Sequence, residues 1–100
     1  MGWKMLELNE NIKRLRVARG LNQVELAKLI GVSKQCVSNW ENDNIVPSIE
    51  MLIKIADVFY VTTDFLLGRT DKMFLDVSSL TVEQMGHLSL IIDDISSAVK

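Results

Sequence analysis

Four polar residues between positions 34 and 39, Lys34, Gln35, Ser38 and Asn39, carry the side chains best able to engage another molecule. At the helical period of about 3.6 residues they share one face, with Val37 and Trp40 on the opposite one. Lysine can donate to O6 and N7 of a guanine, and the primary amides of Gln35 and Asn39 can each grip N6 and N7 of an adenine with two hydrogen bonds. A solvated helix face has the same composition. The elements around it must decide between the two.

Other chemistry has little to build on. Cys36 is the single cysteine and His87 the single histidine, so neither a metal-ligand cluster nor a Cys–His pair can be assembled within one chain without an improbable fold. No glycine-rich phosphate loop and no paired-carboxylate signature occurs. The expectation is therefore no enzyme, no metal and no cofactor. One cysteine cannot staple a fold, which suits a reducing compartment. No run approaches the ~20 apolar residues of a membrane span, and the first residues, Met1 to Glu7, hold no apolar secretory core. A cytoplasmic protein with no membrane association is expected.

The net charge of −2 hides an asymmetry. Residues 1–40 carry seven Lys/Arg against three Glu, while residues 41–100 carry four against ten Asp/Glu. A basic first part and an acidic remainder suit a protein that meets phosphate with one face only. A dipolar soluble domain has the same balance.

Helix signals position the polar face. Asn9 reads as the cap of a first helix to about Arg19, with Ile12 and Leu15 inward and Gly20 as the left-handed stop. Asn22 and Glu25 form a capping box opening a second helix to about Ile30, closed by Gly31. Ser33 caps a third, from Lys34 to about Asn42. Pro47 and Ser48 precede a fourth, whose Leu52, Ile55, Ala56 and Phe59 form one stripe. Thr62 or Thr63 caps a short fifth that Gly68 ends. After a polar break at Arg69 to Lys72, Thr81 and Gln84 open a last helix to about Ala98. Its Met85, Leu88, Ile92, Ile95 and Val99 recur every three or four residues, a seam suited to packing against another helix.

The stretch from Gln23 to Asn42 is the most informative. Two helices joined by three residues must cross steeply, so the contact needs a small residue (Ala27), the turn needs a residue free to take positive φ (Gly31), and both helices need apolar inner faces (Leu26, Ile30, Val32, Val37, Trp40). All are present at the right spacing. With Leu21 to Ala27, Gly31-Val32-Ser33, Val37 to Asn42 and the later Pro47-Ser48, the chain resembles the phage-repressor and Cro-like helix-turn-helix regulators over roughly residues 9–68.

That resemblance implies an all-α protein with a five-helix DNA-binding bundle whose third helix enters the major groove of double-stranded DNA, and a role as an operator-binding repressor of bacterial or phage type. It implies base reading by Lys34, Gln35, Ser38 and Asn39. Phosphate contacts would come from Asn22, Gln23, Ser33, Asn42 and Asn44, and a structural salt bridge would join Arg16 to Glu41. Many members carry Lys or Gly after the third helix, where this chain has Asp43-Asn44; modest non-specific affinity is expected. The expected organisation is an extension at 1–8, the DNA-binding domain at 9–68 with its motif at 23–42, a linker at 69–80, and an amphipathic helix at 81–100 for homodimerisation. The alternative is an antitoxin-like module whose acidic C-terminal part binds a partner protein.

Overall fold

The computed structural model describes residues 7–71 and 77–98. They form six helices: α1 (Glu7–Ala18), α2 (Gln23–Ile30), α3 (Lys34–Glu41), α4 (Ile49–Phe59), α5 (Thr63–Leu66) and α6 (Val82–Ala98), with no strand among the described residues. The all-α expectation of five helices followed by a C-terminal one is met.

Local chemistry starts and stops most of these helices where the sequence places the signals. At α2, Asn22 Oδ1 accepts from the Glu25 amide and Glu25 Oε1 accepts from the Asn22 amide, both at 2.8 Å. Ser33, Ser48 and Thr62 accept from the amides of Cys36, Met51 and Phe65 in the same way. Each bond satisfies a donor that the first helical turn leaves without a backbone partner. Thr81 and Gln84 exchange the reciprocal bonds of a capping box ahead of α6.

The first helix differs. Glu7 is already helical, so Asn9 lies inside the helix instead of capping it. Leu8 is the reason: with Ile12 and Leu15 it forms an inward stripe, and its burial carries the helix a turn further back. Asn9 Nδ2 then donates to the carbonyl of Glu41 at 3.3 Å.

The core of α1–α5 gathers Leu8, Ile12, Leu26, Ala27, Ile30, Val37, Trp40, Ile55, Ala56, Phe59 and Leu66. The fifth helix is secured by Asn11, buried in α1, whose Nδ2 donates to the carbonyls of Phe65 and Leu66. None of the buried core comes from α6. There Met85 and Leu88 are half-buried, while Ile91, Ile92 and Ile95 are more than half exposed. Val99 lies outside the described residues. No described helix is long and apolar enough to cross a membrane.

The turn between α2 and α3 depends on Gly31, at φ 91° and ψ 35°, whose amide donates to the Ala27 carbonyl at 2.8 Å. A Cβ there would meet nothing within 4 Å, so a side chain is opposed by backbone strain alone. Gly31→Val is expected to destabilise the fold by about 1–3 kcal/mol, measured by urea unfolding. An unchanged midpoint would contradict this account of the turn.

Candidate nucleic-acid interface

Helix α3 has two sides with different tasks. Val37 and Trp40 face inward and are essentially inaccessible to solvent. Glu41 ends the helix, and burying its carboxylate would be costly without donors. It has three. Arg16 Nε donates to Oε2 at 2.6 Å, Arg16 Nη2 to Oε1 at 3.0 Å, and Gln23 Nε2 to Oε1 at 3.1 Å. The Arg16 and Glu41 side chains are only 12% and 2% exposed, so the forked pair lies in a region that salt screens poorly. Its hydrogen bonds to the Glu41 carboxylate raise the pKa of Arg16 above its ordinary value, against the lowering effect of burial. The guanidinium therefore stays charged. Its remaining Nη1 donates to the Leu21 carbonyl at 2.9 Å, which fixes the segment between α1 and α2.

These bonds set the attitude of α3. One carboxylate joins α1, α2 and α3, and Asn9 adds a further link to the Glu41 carbonyl. The N-terminus of α2 is drawn beside the C-terminal end of α3. Gln23 has one amide hydrogen on Glu41 and keeps the other, so it braces the motif besides being a candidate for a phosphate.

The opposite side of α3 presents Lys34 and Gln35 exposed, with Ser38 and Asn39 half-exposed. Two hydrogen bonds run along it at i to i+4 spacing. Gln35 Nε2 donates to Asn39 Oδ1 at 3.1 Å, and Asn42 Nδ2 donates to Ser38 Oγ at 3.2 Å. All four residues expected to read bases thus lie on one outward face. The residues expected to hold phosphate bracket it: Ser33 caps the start of α3, while Asn22, Gln23, Asn42 and Asn44 gather at its far end. Asn22 Oδ1 and Ser33 Oγ already accept bonds as caps; each keeps its hydrogens to donate outward.

The loop after α3 closes with Asp43 at φ 59°. The Asp43 amide donates to the Trp40 carbonyl at 3.2 Å and that of Asn44 to the Asn39 carbonyl at 2.9 Å, the paired bonds of a Schellman ending. Asp43 holds a place that glycine fills without strain, and it sets a negative charge beside the outward face.

Some positioning residues gave the sequence no usable signal. Asn9 and Asn11 are amides in the first helix, a composition indistinguishable from an exposed face until their carbonyl partners, 32 and 54 residues away, are in place. The second role of Gln23 is similar, since only the approach of α2 to the end of α3 reveals it.

The fold and this outward face define a small DNA-binding module of the repressor type. The sequence model of the helix-turn-helix family matches residues 12–66, and the chain belongs to that family, among its phage-repressor and Cro-like members. The HTH-type transcriptional activator BcrR of Enterococcus faecalis is 39% identical over 63 residues, which cover 63% of this chain and 31% of that protein. The P22 c2 repressor, solved in complex with a synthetic operator, superposes with a TM-score of 0.58 at 30% identity, over 60% of this chain and 91% of that one. A transcriptional regulator from Listeria innocua gives 0.60 at 26% identity, over 91% of this chain and 94% of that one. The chain spans about a third to three fifths of the length of the relatives it matches in sequence. Those relatives are transcriptional regulators, not enzymes.

Breaking the buried pair tests its role. Arg16→Ala strands the Glu41 carboxylate and is expected to cost about 3–5 kcal/mol in urea unfolding. Replacing both partners, Arg16→Met with Glu41→Leu, should lose far less. A loss below about 1 kcal/mol for Arg16→Ala, the range of a solvated surface pair, would mean that the bridge does not hold α3.

Proposed function

We propose that this protein is a transcriptional repressor that binds an inverted-repeat operator as a homodimer and performs no catalysis. The observation that carries the reading is the outward face of α3, where Lys34, Gln35, Ser38 and Asn39 stand clear while Val37, Trp40 and Glu41 anchor the other side. One such helix reads only a few base pairs, so two copies on a palindrome supply the affinity and the symmetry.

Residues 9–68, extended back through Leu8 by α1, form the DNA-binding unit, with the motif at 23–42. Residues 69–80 link it to α6, and residues 81–100 pair with those of the second copy. What supports this pairing is the stripe of Met85, Leu88, Ile92 and Ile95, widened by Ile91, which the bundle of the same chain leaves largely uncovered. Isolated apolar side chains on a surface are ordinary, but a continuous stripe of them marks an association site. Val99 would extend it.

Binding assays separate the two kinds of contact. Asn39→Ala removes a base contact and should cost about 1–3 kcal/mol on the best operator while leaving random DNA nearly untouched. Gln23→Ala should weaken both by similar factors. Neither should change the salt slope, because neither carries charge. Lys34→Ala should behave like Asn39→Ala with an unchanged slope; a slope reduced by about one would place Lys34 on a phosphate. Equal losses on both DNAs for Asn39→Ala would remove it from the base-reading set.

The dimer is tested by sedimentation. Wild type should sediment as a dimer and Ile92→Glu as a folded monomer, because the substitution sets a charge in the paired stripe. A folded Ile92→Glu protein that remains dimeric would reject α6 as the interface. A monomeric wild type would favour a different protein as the occupant of the stripe.

A further inference from the structure

We infer that Asn42 is a specificity-determining positioning residue, acting on the bases through Ser38 in place of the phosphate contact the family resemblance implies for it. This rests on the reading of α3 as the DNA-reading helix. Asn42 is exposed at the end of α3, and its side chain lies along the helix, with Nδ2 donating to Ser38 Oγ at 3.2 Å. A serine hydroxyl carries one hydrogen and two lone pairs, and the hydrogen rotates to suit its surroundings. Left alone, Ser38 can meet either an acceptor or a donor on a base edge, and it discriminates poorly. With one lone pair taken by Asn42, a single lone pair and the hydrogen remain, and the balance shifts toward donation.

Ser38 is thereby biased to donate. The base edges it then favours are those presenting acceptors in the major groove, O6 and N7 of guanine or O4 of thymine. The exocyclic amino groups of adenine and cytosine are less favoured, because they must compete for the one lone pair that remains. The neighbouring pair follows the same rule: Gln35 Nε2 bonds Asn39 Oδ1 at 3.1 Å, which leaves the Asn39 amide hydrogens facing outward. The two bonds thus bias Ser38 and Asn39 toward donating, while Gln35 keeps its carbonyl oxygen as an acceptor. Asn42 is also the C-cap of α3, but its backbone amide makes that contact, to the Ser38 and Trp40 carbonyls. The side chain is not needed to end the helix, so changing it leaves the fold in place.

A double-mutant cycle on DNA affinity tests this, using the full chain, the best duplex recovered by selection from random DNA, variants of that duplex at each base pair, and random duplex. Asn42→Ala should reduce the preference at one base pair by about three- to tenfold, the effect of a single hydrogen bond, and leave random-duplex affinity within about twofold. The affected base pair should be the one relaxed by Ser38→Ala, and in a Ser38→Ala chain the second change should add nothing at that position. Asn42→Asp reverses the polarity, since the carboxylate accepts from the Ser38 hydroxyl and turns its lone pairs to the groove. The preference at that base pair should move toward adenine or cytosine, even though overall affinity falls with the added negative charge. The inference is overturned if Asn42→Ala lowers selected and random affinity equally and does so again in the Ser38→Ala chain, which is the behaviour of a phosphate contact. An unchanged base preference in both Asn42 variants overturns it too. Wild type that shows no sequence preference would instead remove the DNA-reading role of α3, and this inference with it.

Discussion

Glu41 is the point on which the rest of the structure depends. A carboxylate buried at the end of a helix must be met by donors, and those available come from two other helices: Arg16 from α1 and Gln23 from α2. Satisfying it therefore fixes three helices at once. The same guanidinium holds the Leu21 carbonyl, so the segment leading into the motif is set by that charge as well. Apolar packing of Val37 and Trp40 would hold α3 against the bundle without defining its rotation so narrowly. The directional bonds of Glu41 add that definition, and the outward face of α3 is what they define.

Positioning one helix by a buried charge has consequences for its other side. Because Glu41 faces inward, Lys34, Gln35, Ser38 and Asn39 face out, and Asn42 and Asn44 follow at the rim where α2 also begins. The two side-chain bonds along α3 order that face before any partner arrives, which lowers the entropy lost on binding. Asp43 sets a negative charge next to that face, which repels phosphate. On the proposed reading, the balance favours recognition by sequence over general attraction to a polyanion, in keeping with a net charge of −2 for the whole chain.

Much of the bundle was legible in the sequence because its boundaries are written in short-range chemistry. Asn22, Ser33, Ser48, Thr62 and Thr81 cap through bonds to residues three positions on, and Gly20, Gly31 and Gly68 take the positive φ their positions suggest. The inner faces of α2, α3 and α4 were legible for a similar reason, since apolar spacing reports directly on burial. The start of α1 was misplaced because Asn9 has the right residue type for a cap, whereas Leu8, one position earlier, decides the matter by entering the core. The candidate face at 34–39 could be located by its motif. The bonding within it could not, because whether Asn42 turns to Ser38 or to solvent is settled by the conformation of the loop, and Asp43 at φ 59° carries no periodic signal.

The apolar stripe of α6 separates the two levels of organisation. Helices α1–α5 bury a core of their own and hold α3, whereas α6 leaves Ile91, Ile92 and Ile95 more than half exposed. A bundle complete in itself and a helix lacking a companion are together what a two-fold reader of DNA requires. Selection of binding sites from random duplex DNA by the full chain tests that account most directly. It predicts an inverted repeat whose half-site centres lie about one helical turn, roughly 34 Å, apart or a multiple of that distance. Recovery of an unrepeated site, or of no enriched sequence at all, would contradict it.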